Sequence, residues 1–210
     1  MKKLFLPILP IVAALLFGCN SEVVVVGVVD GEVAQLGSEK EKKLIESLDD
    51  HLGSFVSNGH AVDFESKPGG YGLGYSKQYA PFDRRSWATV FFFHARMSGL
   101  TDGIASEEFK EMYETNTSDA YIGSAYVGVK DKKDTAAAYN GIKFRRFQFA
   151  GRRKDMERDT NSTLFLTIYK GTFLKVRIDW VAEYREGARD VEDFMNALTE
   201  NLKKNNKGRK

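Results

Sequence analysis

Cysteine is nearly absent from this 210-residue chain, which has one, Cys19. A single thiol forms no internal disulfide, no thiolate zinc cage and no Cys-x-x-Cys redox pair, so none of these holds the fold or does its chemistry. Histidine is scarce too. His51, His60 and His94 show neither His-x-x-x-His nor His-Glu-x-x-His spacing, and no metal site is expected from them. No Gly-x-Ser-x-Gly elbow occurs, which leaves a serine hydrolase without support. An excess of one charge is also missing. Lys plus Arg number 31 against 29 Asp plus Glu, and the resulting +2 is too small for bulk electrostatics to imply nucleic-acid binding. What remains, 42% hydrophobic and 12% aromatic residues, is an ordinary globular composition of a length that suits one domain.

The one long uncharged run stands at the start. Lys2 and Lys3 precede an apolar stretch from Leu4 to Gly18, followed by Cys19 and Asn20, which is the order of a secretory signal. The run is short of the ~20 residues that span a bilayer, and Pro7 and Pro10 interrupt any long helix in it. The segment Leu16-Phe17-Gly18-Cys19 resembles the lipobox of bacterial lipoproteins, although Phe17 departs from the small or aliphatic residue usual there. The resemblance implies cleavage between Gly18 and Cys19, a diacylglycerol on the Cys19 sulfur and acylation of the new amino terminus. Asn20 in place of an aspartate resembles the outer-membrane sorting signal of proteobacterial lipoproteins. The expectation is a chain held to the bilayer through Cys19, facing the periplasm from the outer membrane in a Gram-negative cell.

Removing residues 1–18 removes two lysines and no acid, so the mature chain is formally neutral. Its last eight residues, 203–210, carry five cations and no acid, so a mildly acidic body ends in a basic tail. Residues 19–37 read as a lipidated tether or, since Val23 to Val29 is β-prone, as a strand added to the domain. Residues 38–202 read as one α+β domain. Ser38 with Glu41 predicts a capping box, with Leu44, Ile45, Leu48 and Leu52 at helical spacing up to Gly53 and His51 in the last turn. Strands are expected across Tyr71–Tyr79, Trp87–His94, Tyr121–Lys130, Ile142–Phe149, Ser162–Tyr169 and Thr172–Trp180, the last two a hairpin about Lys170-Gly171. A change of apolar parity across Arg145-Arg146 predicts a bulge. Ser106 is expected to cap a helix burying Phe109, Met112 and Tyr113. Asp190 is expected to cap a closing helix with Val191, Phe194, Met195, Leu198 and Leu202 inward. The result is a mainly antiparallel sheet of about six strands with flanking helices. Over residues 60–204 this element order resembles the PsbP-like fold of small envelope and thylakoid-lumen proteins, and a fold does not fix function.

Few residues point to chemistry. The glycines at 69, 70, 72 and 74 lead into a strand and not a helix, so they read as a turn rather than a phosphate loop. Asp30 to Glu41 lacks the alternating ligands of a calcium loop. Basic residues interleave with aromatics from Phe144 to Lys154, and Arg145, Arg146, Arg152, Arg153 and Lys154 are candidate contacts to an anionic envelope partner. The competing reading is a solvated basic turn, and export argues against nucleic acid. No catalytic residue, metal or cofactor is assigned. The expected role is a non-catalytic binding or scaffolding module of the cell envelope. The alternative is an envelope enzyme or small-ligand receptor whose site forms only in the fold.

Overall fold

The structure is a computed structural model that describes residues 31–118 and 125–207. The predicted signal peptide, Cys19 and the first part of the 19–37 segment lie outside the described residues. The described chain forms an α+β domain on a single nine-stranded sheet in which every pairing is antiparallel. In chain order the elements are α1 (Gly31–Glu46), β1 (His51–Leu52), β2 (Phe55–Ser57), β3 (Val62–Asp63), β4 (Tyr75–Ala80), β5 (Ser86–Phe93), α2 (Glu107–Thr117), β6 (Tyr126–Tyr139), β7 (Ile142–Arg153), β8 (Arg158–Tyr169), β9 (Thr172–Val181) and α3 (Gly187–Lys207). The strands run across the sheet in the order β1-β2-β4-β5-β9-β8-β7-β6, with β3 also paired to β4.

The six expected strands are β4 to β9. The sheet has nine because β1, β2 and β3, of two or three residues each, are too short to display a period in the sequence.

Each long strand feeds two cores. In β9, Leu174, Val176, Ile178 and Trp180 pack under α1 and α3 with Val90 and Phe92 of β5, while Phe173 turns to the opposite face with Leu164, Leu166 and Ile168 of β8 under α2. The α3 stripe of Val191, Phe194, Met195, Leu198 and Leu202 is fully buried, and the Phe194 ring meets Phe55 edge-on at 4.9 Å. On the other face Phe109, Met112 and Tyr113 of α2 are buried, and Ser106 caps that helix by accepting the Phe109 amide at 3.2 Å.

Four expectations need correction. First, β7 and β8 pair without a break from Arg145↔Leu166 to Arg153↔Arg158, so there is no bulge at Arg145-Arg146. The parity change arises because Phe144 packs in the α1/α3 core and Phe147 and Phe149 in the α2 core. The register shifts lie in β6 instead, between Val127 and Lys133. Second, α1 starts at Gly31 and ends at Glu46, so Ser38 is internal to the helix and His51 lies in β1. Ala34, Gln35 and Leu36 are tolerant helix formers, and the pattern of Leu48 and Leu52 continues through a turn and a strand. Third, α3 starts at Gly187, so Asp190 is in its first turn, where its Oδ2 accepts the buried Ser86 hydroxyl at 2.6 Å. Fourth, the strand expected over Tyr121–Lys130 is β6, displaced to Tyr126–Tyr139, with residues 121–124 outside the described set. It turns into β7 through Asn140-Gly141, both at positive φ (48° and 83°), as a two-residue hairpin of this twist requires.

The helix α3 runs on through Lys207, so residues 203–207 of the basic tail continue it. Asn205 donates to the Ser47 carbonyl at 2.6 Å and ties this stretch to the end of α1.

Candidate functional site

The antiparallel register sorts the chain into two ends. At one, called the Ser86 end, lie the β4–β5 turn, the start of β6, the β7–β8 turn and the close of β9, because Ser86 faces Trp180, Thr160 faces Val181, and Arg153 faces both Tyr126 and Arg158. At the other, the His94 end, lie the β6–β7 and β8–β9 turns and the exit of β5.

Three polar assemblies occupy these ends. On the α2 face β9 carries a row of charge, Lys175, Arg177 and Asp179, that the period-2 pattern sends away from the apolar residues between them. The row is inside the protein: Lys175 and Asp179 are each 2% exposed. Lys175 lies 4.6 Å over the Phe91 ring and donates to Asn116 Oδ1 at 3.3 Å. Asp179 accepts the Tyr126 hydroxyl at 2.9 Å, the Trp87 indole N–H at 3.1 Å and Arg153 Nη1 at 3.1 Å, with Arg177 Nε 3.5 Å away. Burial and then the Asp179 charge push the Tyr126 phenol far above its ordinary range. One carboxylate thus joins β5, β6, β7 and β9, and each of its oxygens has partners, the arrangement a buried charge requires.

At the His94 end Glu41 of α1 meets His94. Glu41 is 1% and His94 4% exposed. His94 Nδ1 accepts the Arg96 amide at 3.1 Å, so a neutral imidazole carries its proton on Nε2. Ala95 and Arg96 both sit at positive φ (52° and 64°), and Tyr71 presents its ring edge-on at 5.0 Å. Among the described residues neither Glu41 Oε2 nor His94 Nε2 has a hydrogen-bond partner. Burial raises the Glu41 carboxyl, against a bond from Thr172 and the His94 charge, while burial lowers the His94 imidazole, against the Glu41 charge. The glycine-rich turn lies alongside. Glu65 accepts the amides of Gly72 and Gly74, the latter at 2.6 Å, and a Cβ at Gly74 would meet the Phe92 carbonyl at 1.9 Å. These glycines serve close backbone approach.

The third assembly is a depression of about 500 Å³ at the Ser86 end, lined among others by Gly128, Lys130, Asp131, Gly151, Arg152 and Asp159. Its origin is local. Gly128 and Asp131 at positive φ (64° and 55°) shift the β6 register, and the small residues Ala150 and Gly151 lie opposite the displaced strand. Arg152 and Asp159 face each other across β7 and β8, and neither makes an ion pair among the described residues.

The fold does not gather the five candidate cations into one patch. Arg145 points to the α2 face, paired with Asp134 at 2.7 Å and lying over Tyr113. Arg146 points to the opposite face and pairs with Glu192 of α3 at 3.0 Å. Arg153 is held by Asp155 and Asp179. Arg152 lines the depression, and Lys154 follows in the β7–β8 turn. Sequence alternation alone puts Lys175, Arg177 and Asp179 on one face of β9, but nothing local says that this face is buried, and nothing local joins Glu41 to His94.

Among the described residues no cluster of three or more His, Cys, Asp or Glu is placed to hold a metal, and no helix is long and apolar enough to cross a membrane. Compared with known proteins, the chain matches no family profile and no curated sequence.

Proposed function

We propose that the chain is a lipid-anchored protein of the cell envelope whose α+β domain binds or scaffolds another envelope component without catalysing a reaction. The observation that carries this reading is the position of the only cysteine, at the end of the only signal-like apolar run. Signal peptidase removes residues 1–18, Cys19 carries the lipid, and Asn20 directs the protein to the outer membrane. Two or three acyl chains, at about 0.8 kcal/mol per buried methylene, suffice to hold such a domain at a bilayer. The PsbP-like arrangement belongs to the same reading, supported by the order of strands and helices over residues 60–204 and by the hairpin that precedes the last helix. Binding is favoured over catalysis by the state of the polar groups: the Asp179 carboxylate is saturated by partners that brace the sheet, and the Glu41–His94 pair is enclosed by core.

The test is membrane extraction of cells making the full chain. The protein stays with membranes through alkaline carbonate and leaves them in detergent, and Cys19→Ser moves it to the soluble fraction. A soluble wild-type chain would overturn the reading.

The depression at the Ser86 end favours a second reading, a small-ligand receptor, because Lys130, Asp131, Arg152 and Asp159 converge on it. On that reading Arg152→Ala weakens ligand binding about tenfold or more, the scale of losing one charged contact, with unchanged thermal stability.

A further inference from the structure

Asparagine followed by glycine occurs twice in the chain, at Asn58-Gly59 and at Asn140-Gly141. In such a pair the backbone turns readily on the preceding side chain. Glycine has no Cβ, so its amide nitrogen is unshielded and reaches conformations closed to other residues. Once that nitrogen has given its proton to solvent, it attacks Cγ of the asparagine carboxamide. A C–N bond forms, the Cγ–Nδ2 bond breaks, and the nitrogen leaves as ammonia with a proton taken from solvent. The resulting succinimide takes up one water at either carbonyl and opens to aspartate or to isoaspartate. Nothing is oxidised or reduced, and water is the sole co-reactant.

Both asparagines are exposed, so access of water does not separate the two sites. Restraint does. Asn140 and Gly141 are the central residues of the β6–β7 hairpin, closed by the Tyr139↔Ile142 pair, and both are held at positive φ (48° and 83°). The Asn140 carboxamide is tied to α3, with Nδ2 donating to the Asn196 carbonyl at 3.1 Å and to Oγ1 of the fully buried Thr199 at 3.0 Å. Carrying Cγ onto the Gly141 nitrogen breaks both bonds and reshapes a turn that sets the register of two long strands.

Asn58 and Gly59 lie in the connection between β2 and β3. Among the described residues Asn58 Nδ2 donates to Gln78 Oε1 alone, at 2.9 Å, and Gln78 is itself exposed. The Gly59 amide donates to Ser57 Oγ at a long 3.3 Å, and beyond its chain neighbours no atom lies within 4 Å of the place where a Cβ on Gly59 would stand. The carboxamide therefore has room to swing onto the nitrogen that follows it.

We infer that Asn58 is a site of spontaneous modification in the folded protein, cyclising on Gly59 and opening to aspartate and isoaspartate, while the fold protects the chemically equivalent pair Asn140-Gly141. Aspartate replaces the donor to Gln78 Oε1 with a carboxylate. Isoaspartate also adds a methylene to the main chain between two strands that both pair with β4. Neither product touches the two cores, and the inference is independent of the lipid anchor and of any ligand.

The test incubates the full chain in detergent, native and in concentrated guanidinium chloride at the same mildly alkaline pH. Mass spectrometry follows the peptides holding residues 58 and 140 for exchange of a carboxamide NH2 for OH. In guanidinium the two peptides convert at comparable rates, because the local chemistry is shared. In the native chain residue 58 converts about tenfold faster than residue 140, the scale of breaking two hydrogen bonds, and gives two products of equal mass and different retention. Thr199→Val deletes one acceptor of the Asn140 carboxamide, so it speeds conversion at 140 about fivefold and leaves 58 unchanged. Equal rates at the two native sites, faster conversion at 140, no product at 58 in a native chain whose denatured form converts, or a rate at 140 indifferent to Thr199→Val each overturns the inference.

Discussion

Glu41 and His94 show how much a residue's chemistry depends on where the fold puts it. Glu41 is one of many acids on a polar helix, and His94 closes an aromatic strand. Only the packing of α1 across β4 and β5 buries them together. Their titrations act on stability with opposite signs. Because burial raises the folded-state pKa of Glu41, the unfolded chain releases that proton first, and stability falls as pH rises from about 4.5 through the folded value. Because burial lowers His94, the unfolded chain takes up a proton first, and stability falls as pH drops below about 6.5. Glu41→Gln removes the first effect and, with the Glu41 charge gone, lowers His94 further, so the variant gains more Tm relative to wild type at pH 8 than at pH 4.5; an equal change at both would contradict the assignment. Asp179 is the contrasting residue. Its replacement by Ala takes a carboxylate from Arg153 and Arg177 and leaves the Tyr126 hydroxyl and the Trp87 indole N–H without their acceptor, and chemical denaturation is expected to register a loss of about 3 kcal/mol.

Elements were legible where local chemistry decides them. Ser106 caps α2, the α3 stripe spaces its apolar residues by helical period, and Lys170-Gly171 makes the β8–β9 turn, all from neighbouring residues alone. Elements decided by distant packing were read less well. In β7 the aromatics switch face because there are two cores to fill, and a reader assuming one core inserts a bulge that does not exist. The Asn140-Gly141 pair is a strong local hairpin signal, and it fixes the outer half of β6 that the strand expected over Tyr121–Lys130 omits. Two substitutions test the assignments. Leu198→Ala, in the middle of the α3 stripe, is expected to cost about 3 kcal/mol in urea denaturation. Gly74→Ala is expected to cost more than about 1 kcal/mol, since its φ of 72° and the Phe92 carbonyl both exclude a side chain.

On the scale of the whole molecule, the proposed address rests on neighbouring residues and the proposed action on distant ones. The apolar run, Cys19 and Asn20 are contiguous and carry their reading without any fold, whereas the depression beside Arg152 depends on a sheet that brings several turns to one end. The proposed function depends on one claim, that Cys19 is acylated. The direct measurement is incorporation of labelled palmitate into wild-type and Cys19→Ser chains in growing cells. Label on the wild type and none on the variant is the predicted result; label retained by the Cys19→Ser chain, or absent from the wild type, would contradict it.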